Sequence, residues 1–361
     1  FAAQAAALAE QGKTPLFFAE GEKLLGILGL ADPLKPTSKE AVDNFHQMGI
    51  DVVMLTGDNK RTANTIANQL GIQAIAEVLP QDKEMEVRRL QESGKKVAMI
   101  GKLANKENIG DHGSSWVRPP YVVTPVQGME RINPDSEVIF NDGSDLESAK
   151  KLAREADAVV FVVGYNHDDE GEFVSADQAA NYTGAMGGDR KTSLGLHKDE
   201  IKLIQEVGPE NPKSTVVLIG GNMIMMTEWY DCVNAVMMAY YPGMEGGTAM
   251  AEILYGDVNP SGKLPYVVPY REEDLPYVDW EATDQYYEYY HGYTRLEKHG
   301  IRPLVPYGYG LSYTTFDFAE PTAAVEGDQL VVHAKVKNTG TISGDEVVQV
   351  YVGFENSSVD R

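Results

Sequence analysis

The feature that most constrains the fold is an alternation of short apolar segments with amphipathic segments. Three apolar segments, KKVAMIG, DAVVFVVG and STVVLIGG, end in glycine, and IDVVMLTGD ends in Gly-Asp. Segments with helical spacing stand among them, namely SKEAVDNFHQMG, KRTANTIANQLG, DKEMEVRRLQESG, DLESAKKLAREA and LHKDEIKLIQEVG. Uninterrupted apolar strands are typical of sheets covered on both faces, and strand–helix alternation is typical of parallel ones. The sequence therefore predicts an α/β protein built from parallel-sheet units.

The amino-acid composition and the apolar pattern change in the last third of the chain. From about Leu264 proline, tyrosine and acidic residues dominate. The tail, DQLVVHAKVKNTGTISGDEVVQVYVGF, then alternates apolar and polar residues around Asn-Thr-Gly. This pattern predicts two antiparallel strands joined at that turn, as in a β-sandwich. The sequence reaches Arg361 before seven strands can be counted, so we expect a partial β-sandwich over 316–361.

Charge is distributed unevenly along the 361 residues. Residues 1–100 carry 11 Lys/Arg and 13 Asp/Glu, a net of −2, whereas residues 101–361 carry 20 and 41, a net of −21. The total of −23 argues against nucleic acid or an anionic membrane as a partner. The electrostatic character thus changes near Gly101, which by itself does not prove that the two parts have different origins.

Several other classes of protein are disfavoured. No apolar run approaches the roughly 18 residues that span a bilayer, and the first residues do not resemble a signal peptide. The compartment stays open, with the cytoplasm as the default. The single cysteine, Cys232, rules out an internal disulfide, and the seven histidines lack metal-ligand spacing. We therefore expect neither a metal nor another cofactor.

A candidate phosphate site lies in the first hundred residues. Thr56, Gly57 and Asp58 follow a predicted strand, at the edge where parallel sheets bind ligands. Backbone N–H groups there could approach a phosphate, and Lys83 could neutralise its charge. A strand-end turn in which Asp58 caps the next helix explains the same residues equally well.

Together with DPLKPTS and LPQDK, this segment gives residues 13–101 a close resemblance to the phosphorylation domain of heavy-metal (copper-type) P-type ATPases, which is HAD-like. The resemblance implies that Thr56, Gly57, Asp58 and Lys83 border a phosphoryl site. Two necessary parts are missing, since the chain has no DKTGT and Lys102 stands where GDGxND would place a Mg²⁺-binding carboxylate. We expect a phosphate-site remnant over 1–96, without metal.

From Gly101 onward the motifs change. GKLANKENIGDHGSS, YYPGMEGGTAMAEILYGDVNPSGKLP and PYGYGLSYTTF follow in order and resemble the C-terminal half of glycoside hydrolase family 3, the β-glucosidases. The resemblance implies an α/β sandwich domain over 97–270, a linker over 271–315 and the start of a fibronectin type III-like domain over 316–361. It also implies retaining hydrolysis of a β-glucoside or oligosaccharide.

Retaining glycosidases use two carboxyl groups about 5 Å apart, a nucleophile and an acid/base. The resemblance points to the loop HDDEGEFV after DAVVFVVG, because relatives carry a Glu before Gly followed by Asp-Arg. Glu170 precedes Gly171, and the pair Asp189-Arg190 follows after an insertion. Glu170 is therefore the predicted acid/base, Glu172 is the alternative, and a merely solvated acidic loop stays open.

Other loop residues are candidates for binding sugar. Asp111 and His112 in GDHGSS could form hydrogen bonds with sugar hydroxyls, and Arg118 could pair with a carboxylate. A purely structural role for this loop is equally open. Asp189 and Arg190 are further candidates for binding the substrate. The family's nucleophile, an aspartate in an SDW-type motif of a preceding barrel, has no match.

We therefore expect a β-glucosidase fragment that is inactive alone. A P-type ATPase relic and a non-catalytic carbohydrate-binding module are the alternatives. Self-association into a homo-oligomer is also open.

Overall fold

The computed structural model describes residues 4–5, 7–8, 13–21, 23–30, 34–35, 37–48, 50–79, 94–110, 117–167, 169–170, 190, 193–279 and 282–353. The chain divides into two compact units, Phe1–Gln91 and Glu92–Arg361. Both contain α/β elements, and the fold class is the predicted one. None of the described helices is long and apolar enough to cross a membrane.

The first unit contains short elements. Its strands are β1 (Thr14–Glu20), β2 (Lys23–Leu30), β3 (Val53–Leu55) and β4 (Gln73–Ile75), and its helices are α1 (Ser38–Gln47) and α2 (Lys60–Leu70). Strands β1 and β2 pair antiparallel, whereas β3 and β4 pair in parallel. The predicted helix DKEMEVRRLQESG lies outside the described residues.

The second unit is built on a parallel sheet of five strands. The chain order is β5 (Lys96–Ile100), α3 (Pro125–Ile132), β6 (Glu137–Asn141), α4 (Leu146–Glu155), β7 (Ala158–Gly164), α5 (Lys198–Val207), β8 (Ser214–Ile219), β9 (Ala235–Tyr240) and α6 (Gly246–Tyr255). The strands lie in the order β6-β5-β7-β8-β9. The chain adds β6 on one side of β5 and β7 on the other, so the switch point lies between β5 and β7. Open α/β sheets bind ligands at the carboxyl ends of the strands, next to such a point.

Helices cover both faces of this sheet, so the central strands bury apolar side chains on both faces. Ile100, Phe161 and Leu218 point to one face and belong to the same core as residues of α4 and α5. Met99 and Val162 point to the other face, in a core that includes residues of α3 and α6. Alternate side chains along one strand thus enter two different cores, which explains the uninterrupted apolar runs VAMI in β5 and AVVFVV in β7.

Helices α3 and α6 approach closely because each carries a glycine at the contact. A Cβ on Gly128 would stand 2.0 Å from the carbonyl oxygen of Gly247, and one on Gly247 would stand 2.1 Å from that of Thr124. Helix α3 was not among the predicted elements. Its start carries a complete capping box, in which Thr124 and Gln127 bond each other's backbone N–H, followed by Pro125 at the first position.

The C-terminal region differs from the prediction in its strand pairing. The chain continues through α7 (Gly292–Lys298) to a hairpin of β10 (Phe316–Glu326) and β11 (Gln329–Asn338). Its turn is at Gly327, whose φ is +66°, and not at Asn-Thr-Gly. The predicted pairing of DQLVVHAKVK with DEVVQVYV is wrong, because residues 343–353 form no strand and β11 pairs only with β10 among the described strands.

Candidate active site

Three neighbouring strands of the second unit end close together and position the site. Strands β7, β8 and β9 lie side by side and run in parallel. The segment to Glu170 follows β7, Gly220 and Gly221 follow β8, and Tyr241 follows β9. Since carboxyl ends of parallel strands share an edge, residues distant in sequence meet there.

Glu170 lies at the centre of this edge and is bonded through both oxygens. Its Oε1 is 2.8 Å from Nε of Arg190. Its Oε2 accepts the hydroxyl of Tyr241 at 2.6 Å and the backbone N–H of Gly221 at 2.7 Å. The side chain is only 13% exposed. The carboxyl group is thus surrounded by three donors from three different segments.

The Arg190 side chain, like that of Glu170, is buried and hydrogen-bonded. Its side chain is 8% exposed, and its other nitrogens donate to the carbonyl oxygens of Leu194 at 3.2 Å and Met223 at 2.8 Å. The guanidinium lies 4.6 Å from the centre of the Tyr165 ring. A guanidinium held on all sides in this way cannot turn away from the carboxylate.

The residues that follow β8 and β9 leave space for the Glu170 carboxylate. A Cβ on Gly221 would stand 3.3 Å from both Oε2 of Glu170 and the ring of Tyr241. The pairing of β8 with β9 shifts its register at their last residues, and Tyr240 adopts φ +53°. A non-glycine residue in this region is strained, and such strain concentrates at functional sites. Burial and the bond to Glu170 raise the pKa of Tyr241 well above its usual range, so its hydroxyl keeps its proton.

Further contacts connect the neighbouring loops. Asp169 lies 3.1 Å from Nε2 of His197, the residue before α5, and the His197 ring packs against Tyr165. Asn108 donates to the Tyr165 carbonyl oxygen at 3.2 Å and so ties the loop after β5 to the loop after β7. Asn108, two residues before GDHGSS, is therefore held beside the segment that leads to Glu170.

The structure brings together only part of the predicted sugar site. Arg190 contacts Glu170, while Arg118 lies exposed in the segment that leads to α3. The alternative acid/base and three predicted sugar-binding residues fall outside the described residues, namely Glu172, Asp111, His112 and Asp189.

Tyr241 and Gly221 were not predicted as site residues. Their signals were present in the sequence, as a glycine pair and an aromatic residue directly after two predicted strands, LIGG and MMAYY. Nothing in the sequence showed that these two strands follow one another beside the strand that leads to Glu170.

The predicted phosphate residues of the first unit form a closed turn. The Thr56 hydroxyl donates to Asp58 at 2.9 Å and accepts the Asp58 backbone N–H at 3.1 Å. Asn59, and not Asp58, caps α2 by accepting the N–H of Thr62. Gly57 lies in the same turn, and Lys83 is outside the described residues. The described residues also contain no group of three His, Cys, Asp or Glu that could hold a metal ion.

The fold and the loop at its carboxyl edge define an α/β sandwich domain of the glycosidase type. The family model described as the glycosyl hydrolase family 3 C-terminal domain matches residues 89–313, more than half of the chain. This chain therefore belongs to glycosyl hydrolase family 3. A second model, described as haloacid dehalogenase-like hydrolase, matches residues 1–104. The two matches overlap around β5.

Individual relatives agree with the family. Thermostable beta-glucosidase B of Acetivibrio thermocellus is 33% identical over 81% of this chain and 40% of its own length. A beta-xylosidase of Formosa agariphila is 31% identical over 74% of this chain and 37% of its own length. The structure of beta-glucosidase 3B from Thermotoga neapolitana shares the fold, with a TM-score of 0.59 at 24% identity over 70% of this chain and 39% of that one. The chain thus spans about two fifths of these relatives.

Proposed function

We propose that this chain supplies the acid/base half of a retaining β-glucosidase active site. The observation that carries the proposal is the loop after β7, which brings a glutamate to the carboxyl edge of a family 3 sheet and bonds it to Arg190 of the predicted Asp-Arg pair. One of its two glutamates, Glu170 or Glu172, donates the proton to the leaving oxygen of a β-glucoside or oligosaccharide. Sugar contacts come from Arg118, Asp189 and the GDHGSS residues Asp111 and His112.

The second carboxylate of a retaining site has to come from elsewhere. Asp231, in the apolar segment before β9, is at the wrong edge of the sheet because it precedes the strand whose far end carries Tyr241. The six residues of β9 separate the two ends by about 20 Å, far more than the roughly 5 Å that a retaining pair requires. A lone acid/base gives no glycosyl-enzyme intermediate, and we expect the chain alone to be inactive.

The experiment is an assay of the purified chain with p-nitrophenyl β-glucoside, with thermal unfolding in glucose or gluconolactone beside it. We expect negligible turnover together with a rise in Tm in the presence of sugar. Turnover that is lost in both Glu170→Gln and Glu172→Gln would show that a nucleophile is present after all. Stabilisation by sugar without turnover is also expected of a non-catalytic carbohydrate-binding module. Addition of the barrel domain of a family 3 relative in trans separates the two, because only an acid/base half would gain activity.

A second candidate function rests on the match of residues 1–104 to haloacid dehalogenase-like hydrolases. Under this alternative the first unit is a relic of a heavy-metal P-type ATPase that still binds phosphate or ATP near Thr56, Gly57, Asp58 and Lys83. The bond between Thr56 and Asp58 argues against an open phosphate site, because it occupies the hydroxyl that would face the ligand. A rise in Tm with ATP but not with sugar would favour this alternative.

A further inference from the structure

We propose that a cavity at the amino edge of the parallel sheet, where its strands begin, binds a small organic carboxylate with an apolar body. The cavity has a volume of about 250 Å³ and is lined by residues of β5, β7 and β8 and of helices α3 and α6. Glu170 follows the opposite end of β7, whose seven residues span about 20 Å. The proposal therefore concerns a second site and does not rest on the proposed function.

The floor of this amino-edge cavity is apolar. Val97 of β5 and Val160 of β7 lie on the sheet face that α3 and α6 cover, in the same core as Met129 of α3. Leu254 of α6 packs against that core. The volume equals that of roughly eight water molecules, which is enough for one small ring. A ligand with an apolar body of this size would therefore gain by leaving water.

Two lysines stand at the mouth of the cavity. Lys95 directly precedes β5 and Lys213 directly precedes β8. Since side chains alternate along a strand, Lys95 shares a face with Val97, and Lys213 shares one with Thr215. Neither ammonium group has a carboxylate within 4.0 Å among the described residues. Both positive charges thus face the mouth without a counter-ion from the described part of the chain.

The one aspartate at the mouth is engaged by backbone. Asp157 directly precedes β7, which lies between β5 and β8. Its Oδ2 accepts the backbone N–H of Lys96 at 2.9 Å. Two lysines and one aspartate give the mouth a net charge of +1, in a chain whose net charge is −23. A single positive charge above an apolar floor complements an organic monoanion, and a carboxylate accepts hydrogen bonds from both ammonium groups.

Thr215 adds an uncharged donor inside the cavity. It pairs with Val160 across β7 and β8 and is half-buried. Its hydroxyl has no hydrogen-bond partner among the described residues. A carboxylate held by the lysines accepts this hydroxyl as a third bond, so the position tests whether the ligand enters the cavity or only touches its mouth.

The experiment is a titration of the full chain with benzoate, followed by NMR through the methyl groups of Met129 and Leu254 and the amide of Thr215. We expect saturable shifts with a Kd of about 1 mM, a reasonable affinity for nine non-hydrogen atoms. Benzyl alcohol keeps the ring without the charge, and acetate keeps the charge without the ring. Each should bind about tenfold more weakly than benzoate.

Three variants assign the binding to the cavity. Lys213→Gln removes an exposed ammonium group and should weaken benzoate binding by about tenfold. Thr215→Val removes the hydroxyl at nearly constant shape and should weaken it by about threefold. The matched control is Lys96→Gln, because Lys96 alternates to the other face and lies 3.8 Å from Glu137. This control should leave the Kd unchanged.

Four results would overturn the proposal. They are the absence of saturable shifts with benzoate, equal affinity for benzyl alcohol, equal affinity for acetate, and equal weakening by Lys96→Gln and Lys213→Gln. Inorganic phosphate is the control for a general anion site, and it should bind more weakly than benzoate because it has no apolar body. None of these readouts depends on sugar hydrolysis, so a chain that never acts on glucosides would refute the proposed function alone.

Discussion

Glu200 is a buried carboxyl group whose replacement gives a pH-dependent change in stability. The residue lies in the first turn of α5 and is 4% exposed. Its Oε1 accepts the N–H of Gly164 at 3.2 Å, while Oε2 has no partner among the described residues. Burial raises the pKa of Glu200 from 4.5 to about 7, and the Gly164 N–H opposes that shift only in part. Between pH 4.5 and about 7, Glu200 of the folded protein therefore keeps a proton that the unfolded chain has released.

This difference fixes the sign and size of the effect. Between pH 4.5 and about 7 the folded state binds more protons than the unfolded state, so stability falls as the pH rises through this window. A shift of this size corresponds to about 3 kcal/mol once both states are ionised. Glu200→Gln mimics the neutral carboxyl group. We expect it to stabilise the protein by up to about 3 kcal/mol at pH 8 and to have little effect at pH 4.

Urea unfolding followed by tryptophan fluorescence measures this effect in the second unit alone, because Trp116, Trp229 and Trp280 all belong to it. The matched control is Glu206→Gln on the exposed side of the same helix. There the bond to Lys150 lowers the pKa of the carboxyl group, so any effect should be small and opposite in sign. A Glu200→Gln difference that is the same at pH 4 and pH 8, or a loss of stability at pH 8, would refute the reasoning.

Two further substitutions test the packing of the second unit by the same urea assay. Gly247→Ala should destabilise the second unit by about 3 kcal/mol, because the new Cβ would collide with backbone carbonyl oxygens. The control is Gly262→Ala, whose Cβ would have no atom within 4 Å and which should be neutral. Equal effects of the two substitutions would contradict the close contact of α3 and α6. Asn211→Ala should cost about 2 kcal/mol because the Asn211 amide donates to two carbonyl oxygens at the end of α4, both at 2.8 Å. Asn211→Asp should cost at least as much, since a carboxylate cannot donate, and a harmless Asp would show that these bonds contribute little.

The sequence predicted the parts of the fold that depend on local pattern. Apolar segments that end in glycine became β5, β7 and β8, and helical spacing predicted α4 and α5. Strand order and the hairpin partner of β11 depend on contacts between distant segments, which periodicity does not contain. The same limit applied to the site. The loop with Glu170 was found from its motif, but its partners Gly221 and Tyr241 come from strands that only the sheet brings alongside.

Strand β5 shows why two unrelated family models overlap on the same residues. It pairs with β6 and β7, and Gly101 follows it with φ +118°. A Cβ at Gly101 would stand 2.4 Å from the carbonyl oxygen of Val162, so the neighbouring strand of the glycosidase-type sheet itself requires glycine here. A buried parallel strand that ends in glycine fits both families because both place a loop at such an end.

Lys102, the next residue, separates the two interpretations. The ATPase resemblance predicts that Lys102 stands in place of a Mg²⁺-binding carboxylate. In this structure its ammonium bonds Asp199 in the first turn of α5, and the partners raise the pKa of Lys102 and lower that of Asp199. The pair is mostly exposed and contributes no more than about 1 kcal/mol, so it is no strong source of stability. It nevertheless gives Lys102 a partner inside the second unit, and the residue needs no explanation as a damaged phosphoryl site.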